Sequence, residues 1–213
     1  MSYSAIYTDE VGASRTIEIS SDDSIEALKN DFEEITRKYN TDYVEISRIK
    51  ANPGEALHIK VKVLAPSHYL ASYDDTEPKA CNSMEVDIIC RPGYPVEAIR
   101  AYYDTNHYLA SPNVFRSGSA CIDRWIPFKS SLTTVVDKLI RDMVHDPSVT
   151  RYDSLANGNM LQWHKDGVAS NLFPTIDLKL LYSPDLLALP QRRKPTISSK
   201  EVPALPGRPR KGA

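Results

Sequence analysis

Two short segments alternate apolar and polar residues, the second as far as Ile88. Leu57, Ile59, Val61 and Val63 interleave with His58, Lys60 and Lys62, while Met84, Val86, Ile88 and Cys90 interleave with Glu85 and Asp87. Successive side chains of a strand point to opposite faces, so each segment predicts a strand with one buried face. Tyr43 to Lys50 precedes them as another strand, with the turn signal Asn52-Pro53-Gly54 between. Arg91-Pro92-Gly93-Tyr94-Pro95 ends the second alternating segment, and a weaker strand runs near Val96 to Tyr103. Ala65 to Ser83 is polar and reads as loop. Sequential strands with short links predict a four-stranded antiparallel meander that needs a helix to cover one face.

That helix is written upstream. Ile25, Leu28, Phe32, Ile35 and Tyr39 recur at spacings of three and four, one stripe at helical period. Asp23 is the expected cap, with Glu26 three residues on, and Asn40 suits the exit. Ile17 and Ile19 can belong to a short strand before it. Residues 104–130 have little periodicity and read as one long loop, a length usually found at functional sites or in disordered segments. Leu132, Val135, Val136, Leu139, Ile140 and Met143 then mark a second helix that stops before Pro147. A shorter helix is expected over Asn157 to Lys165. Ile176 to Leu189 is apolar enough to pack back on the body, in a conformation the pattern leaves open. The class is α+β. The boundaries are an N-terminal extension at 1–21, one domain at 22–189 and a tail at 190–213.

Charge sets the tail apart. The chain carries a formal net charge of −2, yet residues 190–213 hold seven basic residues against one acid, leaving −8 for 1–189. So acidic a body is a poor partner for nucleic acid, whose phosphates need clustered Lys and Arg. The tail adds Pro190, Pro195, Pro203, Pro206 and Pro209 to its basic residues. It buries too little apolar surface to offset its ordering entropy and is expected to be disordered. No apolar stretch is long enough for a membrane span, and the start, MSYSAIYTDE, does not read as a secretory signal. Three cysteines without metal-type spacing fit reduced thiols in a cytoplasmic setting, with no metal and no cofactor expected.

Each cysteine needs an account. Cys90 holds the inward phase of its strand and reads as a small core residue. Cys81 has no recognisable catalytic setting. Cys121 sits in the irregular stretch, between Ser117-Gly118-Ser119-Ala120 and Ile122-Asp123-Arg124-Trp125. Composition and spacing alone favour a structural cysteine there, as for most lone cysteines. The five histidines, His58, His68, His107, His145 and His164, fall in no hydrolase motif.

A set of ordered landmarks changes the reading. Tyr94-Pro95 is followed by Ser111-Pro112-Asn113-Val114, Gly118-Ser119-Ala120-Cys121-Ile122-Asp123, Trp125-Ile126-Pro127 and Asp153-Ser154-Leu155-Ala156-Asn157. Over about residues 22 to 167 this resembles the ubiquitin-conjugating enzyme family. That family has a Tyr-Pro after its third strand, a His-Pro-Asn tripeptide, a cysteine eight residues beyond the asparagine, then a Trp-x-Pro and a Pro-Ala-Asn-like segment.

The resemblance implies a ubiquitin-conjugating fold and a mechanism. Cys121 would accept the C-terminal acyl group of a ubiquitin-like protein from an activating-enzyme-like protein, and an amine of a target protein would then attack the thioester. Asn113 would stabilise the developing oxyanion or hold the loop. Asp153 would position or deprotonate the attacking lysine, with Asp146 as the alternative. Ser111, Asp123 and His145 are further candidates for supporting roles. Three departures stand out, one of them that the segment between Cys121 and Trp125 is shorter than usual for the family. Ser111 replaces the tripeptide histidine, and the predicted first helix mixes Glu26, Asp31, Glu33 and Glu34 with Lys29, Arg37 and Lys38 where the family commonly shows basic residues. These departures resemble divergent members encoded in bacterial ubiquitin-like conjugation operons, several linked to defence against phage. Two rival classes stay open, a non-catalytic variant of the same fold that only docks ubiquitin-like proteins, and a cysteine hydrolase. The need for a ligase is left open as well.

Overall fold

The computed structural model describes residues 2–8, 14–39, 41–153, 155–173 and 176–184. Strand β1 (Ser2–Thr8) pairs antiparallel with β2 (Ser14–Ser20), so the N-terminal extension holds a hairpin rather than one short strand. Helix α1 (Ser21–Lys38) follows directly. Its cap is Ser20, not Asp23: the Asp23 amide donates to Ser20 Oγ at 3.2 Å, and Ser20 Oγ donates back to the Asp23 carboxylate at 2.7 Å. This reciprocal exchange satisfies an otherwise orphaned helix-start donor. Leu28, Ile35 and Tyr39 of the expected stripe are buried, but Ile25 is 62% exposed and Ser24 takes the inward place. The Ser24 hydroxyl donates to the Pro92 carbonyl, a polar contact that turns this face toward the loop after Cys90. The expected exit at Asn40 lies outside the described residues.

The main sheet has the order β3-β4-β7-β8, all antiparallel, from β3 (Val44–Ile49), β4 (Leu57–Val63), β7 (Met84–Cys90) and β8 (Arg100–Tyr102). Both alternating segments form strands over the expected bounds. Leu57, Ile59, Val61 and Val63 are buried, as are Met84, Val86, Ile88 and Cys90. The last strand is shorter than the Val96–Tyr103 expected.

The polar stretch after β4 is not loop throughout. It holds β5 (Ser67–Leu70) and β6 (Lys79–Cys81), which join β9 (Tyr108–Leu109) in a second sheet of order β6-β5-β9. The meander is therefore interrupted between β4 and β7. These strands are two to four residues long, too short to show a period, and tertiary pairing makes them: Tyr69 opposes Leu109, and the Ser67 hydroxyl donates to the Met143 carbonyl at 2.6 Å.

Helix α2 (Leu132–Met143), capped by Ser131, fills the core with Leu132, Val135, Val136, Leu139, Ile140 and Met143. Truncating a buried leucine such as Leu139 to alanine costs about 2–5 kcal/mol in cores of this kind. Helix α3 (Asn159–Ala169) begins two residues later than expected and runs four further. The stretch left open after it forms a 3₁₀ turn at Leu178–Leu181, with Leu181 buried. The tail at 190–213 lies outside the described residues. No described helix is long and apolar enough to cross a membrane.

Candidate active site

The five sequence landmarks come from distant parts of the chain, and direct contacts join them in space. Tyr94, buried, stands 5.9 Å from the Trp125 ring, and Trp125 Nε1–H donates to the Pro95 carbonyl at 2.9 Å. The Tyr94 hydroxyl donates to the Asp31 carboxylate, and the Leu132 amide, at the start of α2, donates to that hydroxyl at 2.8 Å. On the other side, the Ala156 and Asn157 amides both donate to the Pro112 carbonyl at 2.9 Å.

Between these supports runs the segment carrying Cys121. Its approach is stitched to β8: the Ala120 amide donates to the Ala101 carbonyl at 2.9 Å, and the Tyr103 amide to the Gly118 carbonyl at 2.9 Å. Gly118 has φ +79°, and a Cβ there would meet the Tyr103 carbonyl oxygen at 2.6 Å. Only glycine fits both the left-handed backbone and that close approach. The Cys121 amide then donates to the Asn113 carbonyl at 2.7 Å. The eight-residue spacing thus closes into one hydrogen bond between the two landmarks.

Beneath lies a buried polar knot. Asp142 of α2 accepts from the Ser111 hydroxyl at 2.9 Å and from Asn113 Nδ2–H at 3.2 Å, and the Asn113 amide donates to Ser111 Oγ at 3.1 Å. All three residues are buried. Burial disfavours the charged form of Asp142 and raises its pKa to about 6, with Ser111 and Asn113 pulling the other way. Tyr103 Oη and Asn113 Oδ1 are also buried there without a partner. The Asn113 amide nitrogen is thus engaged with Asp142. Sequence reading missed Asp142, because nothing in a helix stripe signals that a position 29 residues away will face a loop asparagine.

The three thiols differ. Cys90 is fully buried and its thiol is pushed up to about 12 by burial. Cys81 is half-buried and burial raises it too. Cys121 is half-exposed in the irregular segment.

The remaining candidates separate. Asp123, with φ +54°, accepts from Lys138 Nζ at 2.8 Å and pairs with Arg151 at 3.6 Å. Asp153 is exposed and bonded to Arg151, which holds its carboxyl below the usual range. Asp146 caps the 3₁₀ turn Pro147–Val149 and binds Arg141 Nε–H at 2.7 Å. Its contacts are those of a capping and ion-pairing residue. His145 is buried in an aromatic nest: its Nε2 lies 3.3 Å from His68 Nδ1, its ring stacks 4.3 Å from Phe173, and Trp163 and His164 pack around it. Burial first, and the neighbouring histidines second, lower it to about 3. The other two histidines have their own contacts, His58 with Glu55 and His107 stacked on Tyr69. Among the described residues no group of three or more His, Cys, Asp or Glu could hold a metal ion.

No protein-family model matches the chain. No curated protein matches it either. Among solved structures it is similar to human ubiquitin-conjugating enzyme E2 G1, at 18% identity and a TM-score of 0.41, over 61% of this chain and 99% of that one.

Proposed function

We propose that this chain is a ubiquitin-conjugating-type enzyme that carries a ubiquitin-like protein as a thioester on Cys121. The observation that carries the proposal is the Cys121–Asn113 backbone bond at 2.7 Å, set on a buried Ser111–Asn113–Asp142 knot and flanked by the Tyr94–Trp125 contact. Separate sequence landmarks converge on one half-exposed thiol.

In the reaction, the Cys121 thiolate attacks the activated C-terminal carbonyl held by the activating enzyme. The sulfur–carbon bond forms, the bond from that carbonyl carbon to the activating enzyme breaks, and its electron pair leaves with that enzyme. A target amine next attacks the thioester, its nitrogen–carbon bond forms, the carbon–sulfur bond breaks with Cys121 leaving as thiolate, and the proton of the amine passes to Asp153 or to water. The charge developing on the carbonyl oxygen calls for a fixed donor. Asn113 Nδ2–H can serve if it turns from Asp142 during transfer. Its resting bond to Asp142 supports its other role, holding the segment. Ser111 takes the first place of the tripeptide, and its bond to Asp142 supplies a buried anchor of a different chemistry. Asp153, reached through Arg151 and Asp123, stands by for the incoming lysine. That substitution and the mixed charge of α1 support a place among the divergent conjugation systems of bacterial operons, including those acting against phage, with a matching activating-enzyme-like partner.

A cysteine hydrolase needs a base at the thiol. All five histidines have their ring contacts with other residues, which disfavours that class. A docking module without activity has no use for a half-exposed cysteine on a pinned loop. The deciding experiment incubates the protein with its cognate activating enzyme, the ubiquitin-like protein and ATP. An adduct cleaved by thiol reductant, and missing in Cys121→Ala, is expected. An adduct that survives in Cys121→Ala sinks the proposal.

A further inference from the structure

Lys138 lies on α2 one turn before Asp142, so the two share one helix face. Asp142 holds the incoming limb of the site, through Ser111 and Asn113. Lys138 reaches the outgoing limb: its Nζ donates to the Cys121 carbonyl at 2.9 Å and to the Asp123 carboxylate at 2.8 Å. Its side chain is only 13% exposed, whereas a lysine on a helix surface ordinarily keeps its ammonium in water. Ordering a lysine and desolvating its charge are both unfavourable, and two charge-assisted bonds offset them. The result is that both backbone polar groups of Cys121 are fixed, the amide by Asn113 and the carbonyl by Lys138. Asp123, held at φ +54°, is pinned by the same ammonium.

We infer that Lys138 is a positioning residue that clamps the segment bearing Cys121, with Asp123 as the second half of the clamp. This rests on the proposed function for its role in transfer, though not for the clamp itself. Acting with Asp142, it makes one face of α2 the ruler on which the loop is laid. The thiol can then be reached by large partners while its backbone stays in register.

The test uses the full-length chain with Lys138→Met, Lys138→Arg and Asp123→Asn. The first readout needs no conjugation partner: the rate of iodoacetamide alkylation at Cys121, resolved from Cys81 and Cys90 by peptide mass spectrometry. Releasing the clamp should raise that rate roughly three- to tenfold in Lys138→Met, with Lys138→Arg near wild type and Asp123→Asn between them. The double variant Asp123→Asn, Lys138→Met should match Lys138→Met alone, because both changes break one unit. The second readout is single-turnover discharge of the charged enzyme to free lysine. It should fall about tenfold in Lys138→Met, more than charging falls, because misplacement harms attack geometry most. Wild-type alkylation in Lys138→Met overturns the inference, as does a Lys138→Arg protein no better than Lys138→Met. If Lys138→Met does not fold, wild-type alkylation in Asp123→Asn overturns it equally. A wild-type protein that never charges defeats the proposed function, and the alkylation arm still decides the clamp.

Discussion

Cys90 and Cys121 are the same residue in two kinds of structure. Cys90 lies in a paired strand, opposite Leu57, sealed by the core, with a thiol too dry to ionise. Cys121 lies where no ladder runs, and its backbone is fixed instead by two individual bonds, one from each side. A strand gets its order from repetition, and it buries every second side chain as a consequence. The Cys121 segment gets its order from a few specific partners and can leave its side chain reachable. At Cys121 the backbone is held while the side chain stays half-exposed, whereas the inward phase of β7 seals Cys90.

The sharpest way to break the comparison is to exchange the consequences. Cys121→Ala should abolish thioester formation while the melting temperature stays close to wild type, and Cys90→Ala should charge normally. A non-reducing gel and a melting curve on each variant suffice, and the reverse pattern would assign the chemistry to the sheet.

Asn113 should come next. If its amide serves the charge that appears during transfer, Asn113→Ala should lose on the order of 10²–10³ in discharge to free lysine. Charging should fall less, because the effect belongs to the later transition state. Equal losses in both steps would leave Asn113 with only its structural bond to Asp142.

Gly118 tests whether the approach to Cys121 is as exacting as the strand. Gly118→Ala sets a methyl against the Tyr103 carbonyl in a left-handed backbone. A loss of about 1–3 kcal/mol in denaturant stability is expected. Wild-type stability in that variant would mean the turn relaxes without cost.

A further contrast lies in pH. Asp142 and the His145 nest are both buried titratable groups, with opposite signs. With the Asp142 pKa raised to about 6, the folded state holds a proton there that the unfolded chain, with an ordinary carboxyl, releases near pH 4. Stability from this group is present below about pH 4 and is lost as pH rises through 6. His164 is lowered to about 4 by burial, so the unfolded chain binds the extra proton, and stability is lost as pH falls below about 6.5. Each effect spans about two units, or roughly 3 kcal/mol at most. Urea melts from pH 4 to 7 should therefore show Asp142→Asn gaining relative to wild type as pH rises. His164→Phe should gain as pH falls. Parallel curves for either variant would remove that residue from the account.

The smallest effect is expected at Cys90 itself. Cys90→Ala removes one buried sulfur from β7 and should cost about 1 kcal/mol, visible as a few degrees in melting temperature.

What the sequence disclosed follows the same division. β4 and β7 were legible to the residue and α2 in its buried face, because repetition writes a period into the chain. β5, β6 and β9 were not, because two to four residues bear no period and their pairing comes from elsewhere in the fold. The stripe of α1 holds at Leu28, Ile35 and Tyr39 and fails only at Ile25, since Ser24 turns inward to satisfy the Pro92 carbonyl, a reason invisible to a hydrophobic stripe. At the site, residue types and spacing left Cys121 ambiguous, and only the resemblance drew Asn113 and Cys121 together. Asp142 and Lys138 could not be anticipated, as their partners lie 15 to 31 positions away with no pattern between.

The Pro112 carbonyl oxygen takes two amides at once, those of Ala156 and Asn157, just where α3 is about to begin. Pro112 is also the residue between Ser111 and Asn113. One oxygen therefore moors two segments at once, the entry to α3 and the peptide that leads into Asn113, so neither can shift without straining a bond it shares with the other.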